Sequence, residues 1–107
     1  VTKSEVLADN TEMADSFLKR LKGLLGTDGI ESGSALVLKP CNAVHTIGMR
    51  YPIDVIFVSS NNKVLKLVSN LPTLRFVFCL EASYVVELKA GVIAARRLRV
   101  GNEIRVI

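Results

Sequence analysis

The chain has no tryptophan, one histidine, two cysteines and three prolines in 107 residues, and aromatic side chains make up only 6% of it. Each shortage excludes something. With two Tyr, four Phe and no Trp, little is available to stack nucleobases. The arginines of "AARRLRVGNEIRV" (Arg96, Arg97, Arg99 and Arg105) therefore read as a solvated edge, and nucleic acid is not an expected partner. Two cysteines are too few for a disulfide framework, so Cys41 and Cys79 are expected as buried, reduced thiols. One histidine rules out a multi-histidine metal cage. There is no glycine-rich phosphate loop and no paired nucleophile motif. No apolar run approaches the ~18 residues a membrane span needs. The first ten residues hold two acids and no apolar core of a signal peptide. A cytoplasmic location is expected, with a periplasmic or exported one as the alternative should a targeting segment precede Val1.

What is present is a globular composition. Half of the residues are apolar, 22% are charged and the net charge is +4, which suits one domain spanning residues 1–107 with one core. The N-terminal third opens with a short strand in "SEVLADN". A helix over about residues 11–24 is then predicted, because Met13, Phe17, Leu18, Leu21, Leu24 and Leu25 recur at helical spacing. Asp9, Asn10 or Thr11 can cap its start, and Gly23 or Gly26 can stop it. After Ala35 the pattern changes to short runs rich in Val, Ile, Leu and Phe: "ALVLK", "IDVIFV", "KVLKLVS", "RFVFCL", "SYVVELK" and "EIRVI". "SSNNK" reads as a hairpin connection and "GVIAARRL" as a short helical turn. One helix followed by six closely spaced strands predicts a mainly β, α+β fold: a compact antiparallel barrel or sandwich-like domain with an N-terminal helix.

Chemistry-bearing residues gather in "CNAVHTIGMRYPIDVIFV", from Cys41 to Val58. Cys41, His45 and Met49 form a copper- or zinc-like set of ligands. In an extended segment, residues four apart lie about 13 Å from each other, too far to share an ion. Pro40, Gly48, Pro52 and the β-branched residues oppose a helix that would bring them together. No metal and no cofactor are expected. Asp54 is different. In "PIDVIFV" one strand face holds Ile53, Val55 and Phe57 and the other holds Asp54, Ile56 and Val58. Both faces are mostly apolar, so Asp54 is expected to be buried and to need a partner: Arg50, His45, Thr46 or nearby backbone N–H groups. It either ties down the preceding loop or lines a small polar pocket with His45, Thr46 and Arg50. Glu87, alternating with Val86 and Leu88, is expected at a solvent-facing strand position, and Gly91 in a turn of unusual backbone conformation.

"RLKGLLG", "PCNAVHTIGMRYPIDVIFV", "VVELKAG" and "LRVGNEI", in this order and spacing, resemble the domain-of-unknown-function 192 family. The resemblance implies a compact mainly β fold with an N-terminal helix and a family without an established biochemical activity. Some relatives are exported or lipid-anchored, and the genes of others neighbour pilus-assembly or secretion genes. The motif positions that carry over are Arg20 and Gly23 on the helix, His45, Thr46, Met49 and Asp54 in the centre, and Glu87 and Gly91 late in the chain. Two departures stand out: Gly101-Asn102 where relatives have Gly-Asp, and "PTLRF" where a proline usually precedes the arginine. With these positions included, the candidate pocket is His45, Thr46, Met49, Arg50, Asp54 and Glu87, with Arg20, Gly23 and Gly91 as structural positions. Three functions follow. The first is a monomeric binding or accessory module for a small molecule or protein, linked to pilus assembly or secretion. The second is a hydrolase-like enzyme using His45 with Asp54 or Glu87. In the third, the polar cluster only locks the fold.

Overall fold

A computed structural model describes residues 4–6, 10–13 and 34–105, and the side chains of residues 35–104. The strands are β1 (Ser4–Val6), β2 (Asn10–Met13), β3 (Ser34–Leu38), β4 (Ala43–His45), β5 (Ile53–Val58), β6 (Val64–Leu71), β7 (Phe76–Phe78), β8 (Tyr84–Lys89) and β9 (Glu103–Arg105). One helical turn, α1 (Val92–Ala95), lies between β8 and β9. Each apolar run after Ala35 that reads as a strand is one, because β-branched and aromatic side chains fit the pleat. The connection at residues 59–63 turns with Asn62 in the left-handed region (φ 65°), a conformation asparagine tolerates better than most residues.

Five strands form the main sheet in the order β2-β3-β8-β5-β6. Its centre is antiparallel: β3 pairs with β8, β8 with β5, and β5 with β6. The β2–β3 pair at one edge is parallel. A separate two-stranded antiparallel ribbon joins β4 and β7, and β1 runs parallel to β9.

The architecture corrects two expectations. The sheet is open, not a closed barrel: β2 and β6 form its two edges and do not pair with each other. The described helix stands near the C-terminus, not the N-terminus. Of the helix predicted over residues 11–24, the first three residues belong to β2, where pairing with β3 supplies the backbone hydrogen bonds. The remaining residues, Arg20 and Gly23 among them, lie outside the described residues. Among the described residues, no helix is long and apolar enough to cross a membrane.

Both faces of the main sheet are covered, so β5 is buried along its whole length. Ala35, Val37, Ile56, Val58, Val64, Val86 and Leu88 pack on one face with Ile93, Leu98 and Ile104. On the other face, Leu36, Leu38, Ile53, Val55, Phe57 and Val85 pack with Val44 and Met49 and, more loosely, with Cys41, Val77 and Cys79. The ribbon therefore lies over the second face and the α1 region over the first. Asp54 shares the first face with Ile56 and Val58. Glu87, opposite Leu36 on one side and Val55 on the other, shares the second.

Candidate functional site

Asp54 is fully buried, and its charge is met by backbone. The register of β5 against β6 slips between Ile53 and Val55, which pair with Leu71 and Val68. The extra residue makes a bulge in β6, with Asn70 in the left-handed region (φ 51°). A bulge takes an N–H out of the ladder. The Asn70 N–H donates instead to Asp54 Oδ1 at 2.8 Å. On the other side, Asp54 Oδ2 accepts from the N–H groups of Gly91 (3.1 Å) and Ile93 (2.8 Å). These belong to the start of α1, whose N-cap is Gly91 and carries no side-chain cap of its own. Gly91 takes φ 101°, where a Cβ would be strained even though nothing lies near it. One carboxylate on a central strand thus holds a bulge and caps a distant helical turn.

Thr46 is likewise fully buried. Its hydroxyl donates to the Pro72 carbonyl (2.7 Å) and accepts from the Arg75 N–H (2.9 Å). Its own N–H reaches the Arg75 carbonyl (2.8 Å), and its carbonyl accepts from the Leu74 N–H (3.2 Å). It fastens the end of β4 to the turn that leads into β7. Thr46→Val keeps the shape and removes the hydroxyl, stranding the Arg75 N–H and the Pro72 carbonyl. The expected cost is about 2 kcal/mol, read from urea denaturation midpoints. A Val variant as stable as the parent would show that water reaches these groups.

The remaining candidates are spread around the ribbon. Met49 is buried in the apolar cluster beneath it, and Arg50 is exposed. His45 is exposed on β4, directly across from Phe76 on β7. Pleating turns the Val44–Val77 pair inward and puts Ala43, His45, Phe76 and Phe78 on the outer face. Cys41 and Cys79 are free thiols, half-buried below. The Cys41 thiol donates to the Ala43 carbonyl at 3.0 Å. Among the described residues no three His, Cys, Asp or Glu side chains converge.

Glu87 departs from its expected solvent-facing position. It is 6% exposed, because β8 is interior to the sheet and both sheet faces are covered. No described residue donates a hydrogen bond to its carboxyl. Burial pushes its pKa up to about 7. Asn102, where the family resemblance leads one to expect Asp, is also buried, and its Oδ1 accepts the Arg99 N–H at 2.8 Å. An amide oxygen does there what a carboxylate would.

Residue-type reasoning did not anticipate the surface of the ribbon. Ile47 (59% exposed), Leu74 (69%), Phe76 (65%), Phe78 (51%) and Leu80 (72%) are among the most exposed large apolar side chains described. The two Phe rings touch at 6.1 Å with a 37° tilt. The Lys66 ammonium sits 5.7 Å from the centre of the Phe78 ring and donates to the Phe78 carbonyl at 3.0 Å. The only sequence signal was the period-two spacing of Phe76, Phe78 and Leu80 beside an exposed-type residue, Arg75.

Comparison with known proteins agrees with this geometry at the level of fold and family. A protein of Thermococcus sibiricus named as a UPF0127 protein is 33% identical over 96% of this chain and 70% of its own length. A UPF0127 protein of Pyrococcus furiosus is 33% identical over 97% of this chain and 92% of its own. The crystal structure of a protein of unknown function from Novosphingobium aromaticivorans superposes with a TM-score of 0.78, covering 85% of this chain and 70% of the other at 18% identity; this likeness is one of fold. The model of domain-of-unknown-function 192, described as an uncharacterized ACR, matches residues 1–106. The chain belongs to that family.

Proposed function

We propose that the chain is a docking module that binds a partner protein through the outer face of the β4–β7 ribbon, with His45 at its centre. One observation carries this reading: Phe76 and Phe78 on the ribbon, and Ile47, Leu74 and Leu80 just beyond the ends of its two strands, are five large apolar side chains that stand exposed. Phe76 and Phe78 stand ring against ring on the outer face, and contiguous exposed apolar surface marks places where something binds. Aromatic anchors surrounded by aliphatic side chains are a common composition for the centre of an interface. The polar residues of the candidate pocket divide differently. Asp54 and Thr46 spend their oxygens on backbone groups and serve as supports, whereas His45 faces outward beside Phe76. Thr46 matters to docking because it fixes the end of β4, and Met49 because it fills the space under the ribbon. A link to pilus assembly or secretion would enter through the partner's identity.

The test is affinity capture from cells expressing the tagged chain, with Phe76→Ser/Phe78→Ser as the control. Replacing two exposed rings should leave the melting temperature of the fold unchanged. A partner retained by the parent and lost by the double variant is the expected result. Identical capture by both proteins sinks the reading.

A further inference from the structure

We infer that the ribbon's partner presents an amphipathic helix flanked by acidic residues. This rests on the docking reading above and specifies its occupant.

Charge comes first. Lys66 lies against the Phe78 ring, and the exposed Arg75 precedes Phe76 in the chain. The acid on this segment is Glu81, beyond the far end of β7 and beside the Cys79 thiol (3.6 Å). The middle of the apolar face therefore has a cationic border. A second copy docked face to face across a two-fold axis would set these cations against their own counterparts, a like-charge contact that disfavours self-association. An acidic border on the partner answers it. Nucleic acid would also answer the charge. However, Ile47, Leu74 and Leu80 make three of the five exposed side chains aliphatic, and aliphatic groups offer no π face for a base.

Shape comes second. Strand addition to β7 is blunted, because Lys66 already occupies the outward carbonyl of Phe78. A strand added at the β4 edge would cover backbone and leave the apolar face bare. Burying the face requires an element laid over it. The extended part of the stripe is Phe76–Phe78, with Leu74 in a left-handed turn (φ 61°) at one end and Leu80 in the turn after β7 at the other, so it spans less than the ~20 Å of six fully extended residues. A helix of up to about 13 residues covers that span. Its apolar residues at i, i+4, i+7 and i+11 would follow the stripe, with carboxylates on both flanks reaching Lys66 and Arg75.

The probes are three fluorescein-labelled 16-residue peptides. One is helical with Leu at those four positions and Glu on the flanks. The second has the same Leu face with Lys on the flanks. The third alternates Leu and Glu and has the composition of a strand. Anisotropy titrations should show the Glu-flanked helix binding about tenfold or more tighter than its Lys-flanked twin. Phe76→Ser/Phe78→Ser should abolish binding, and Lys66→Glu/Arg75→Glu should reverse the preference between the twins. Equal binding of the twins, or tighter binding of the alternating peptide, would overturn the proposal. Dimerisation of the parent in sedimentation equilibrium that the double Phe variant loses would overturn it too, in favour of a second copy. If no peptide binds while cellular capture still depends on Phe76 and Phe78, the helical partner is wrong and the docking face stands. If capture is indifferent to the two rings, both fall.

Discussion

Asp54→Ala is expected to cost about 4 kcal/mol of folding stability, a large fraction of what a domain of this size has. The reason is the number and kind of donors it would strand. Three backbone N–H groups, from Asn70, Gly91 and Ile93, point at one carboxylate. An unsatisfied buried donor costs about 1–3 kcal/mol, and bonds to a charged acceptor are the stronger class. Relief is unequal. Asn70 is exposed, so water can reach the bulge and return part of the loss. Ile93 is buried in the core, and its N–H has no such recourse. Asp54→Asn should fall between the parent and Ala. Its amide oxygen can serve one side, but its NH2 then faces donors on the other. Guanidinium denaturation of the three proteins gives the order, and hydrogen exchange locates it: the Gly91 and Ile93 amides should lose protection before those of β3. His45→Ala, at an exposed position, should change stability by no more than about 0.5 kcal/mol. An Asp54→Ala protein within 1 kcal/mol of the parent would mean that the carboxylate does not hold the bulge and the turn together.

That Asp54 would be buried and paired was legible in the sequence, because a lone acid in "PIDVIFV" interrupts a strand apolar on both faces. Its partners were harder to read. A list of residue types offers Arg50, His45 and Thr46 as donors, whereas the donors used are backbone groups freed by a bulge and a left-handed glycine. Such groups carry no letter of their own. The strands after Ala35 were legible for a similar reason: β-branched density between turn residues is a local signal. Whether the edges of the sheet close on each other is not local, so an open sheet and a barrel read alike. The same limit explains Glu87 and the ribbon. "VVELK" alternates as a half-exposed strand would, and only its place between β3 and β5 buries the glutamate. "RFVFCL" is apolar on both faces, so its sequence does not say which face is covered; β7 pairs only with β4 and turns Phe76 and Phe78 outward. Thr11, Glu12 and Met13 entered the predicted helix because Met13 fits the helical spacing and Asp9, Asn10 or Thr11 can cap its start, and pairing with β3 overrode both signals.

Glu87 should make the protein more stable in mild acid than in mild base. Its carboxyl is buried among apolar neighbours, opposite Leu36 and Val55, and desolvation raises its pKa from the ordinary 4.5 to about 7. In the unfolded chain the group ionises near the lower value. Between the two, the folded protein keeps a proton that the unfolded chain has released. The folded state binds more protons, so stability falls as pH rises across this window. Below pH 4.5 both states are protonated, and above about 7 both are ionised, so the contribution is flat at either end. A separation of this size corresponds to roughly 3 kcal/mol lost across the window. Urea midpoints between pH 5 and 8 should decline for the parent. Glu87→Gln, which cannot ionise, should flatten that decline and be the more stable protein at pH 8. Glu87→Leu, which suits the apolar neighbours, should do the same without leaving an amide to satisfy. Parallel pH profiles for the parent and both variants would show that Glu87 is ionised in the fold at neutral pH, its charge met by a donor the apolar neighbours do not supply. A profile that declines for the parent and is flat for both variants would identify this one buried proton as the source of the pH dependence.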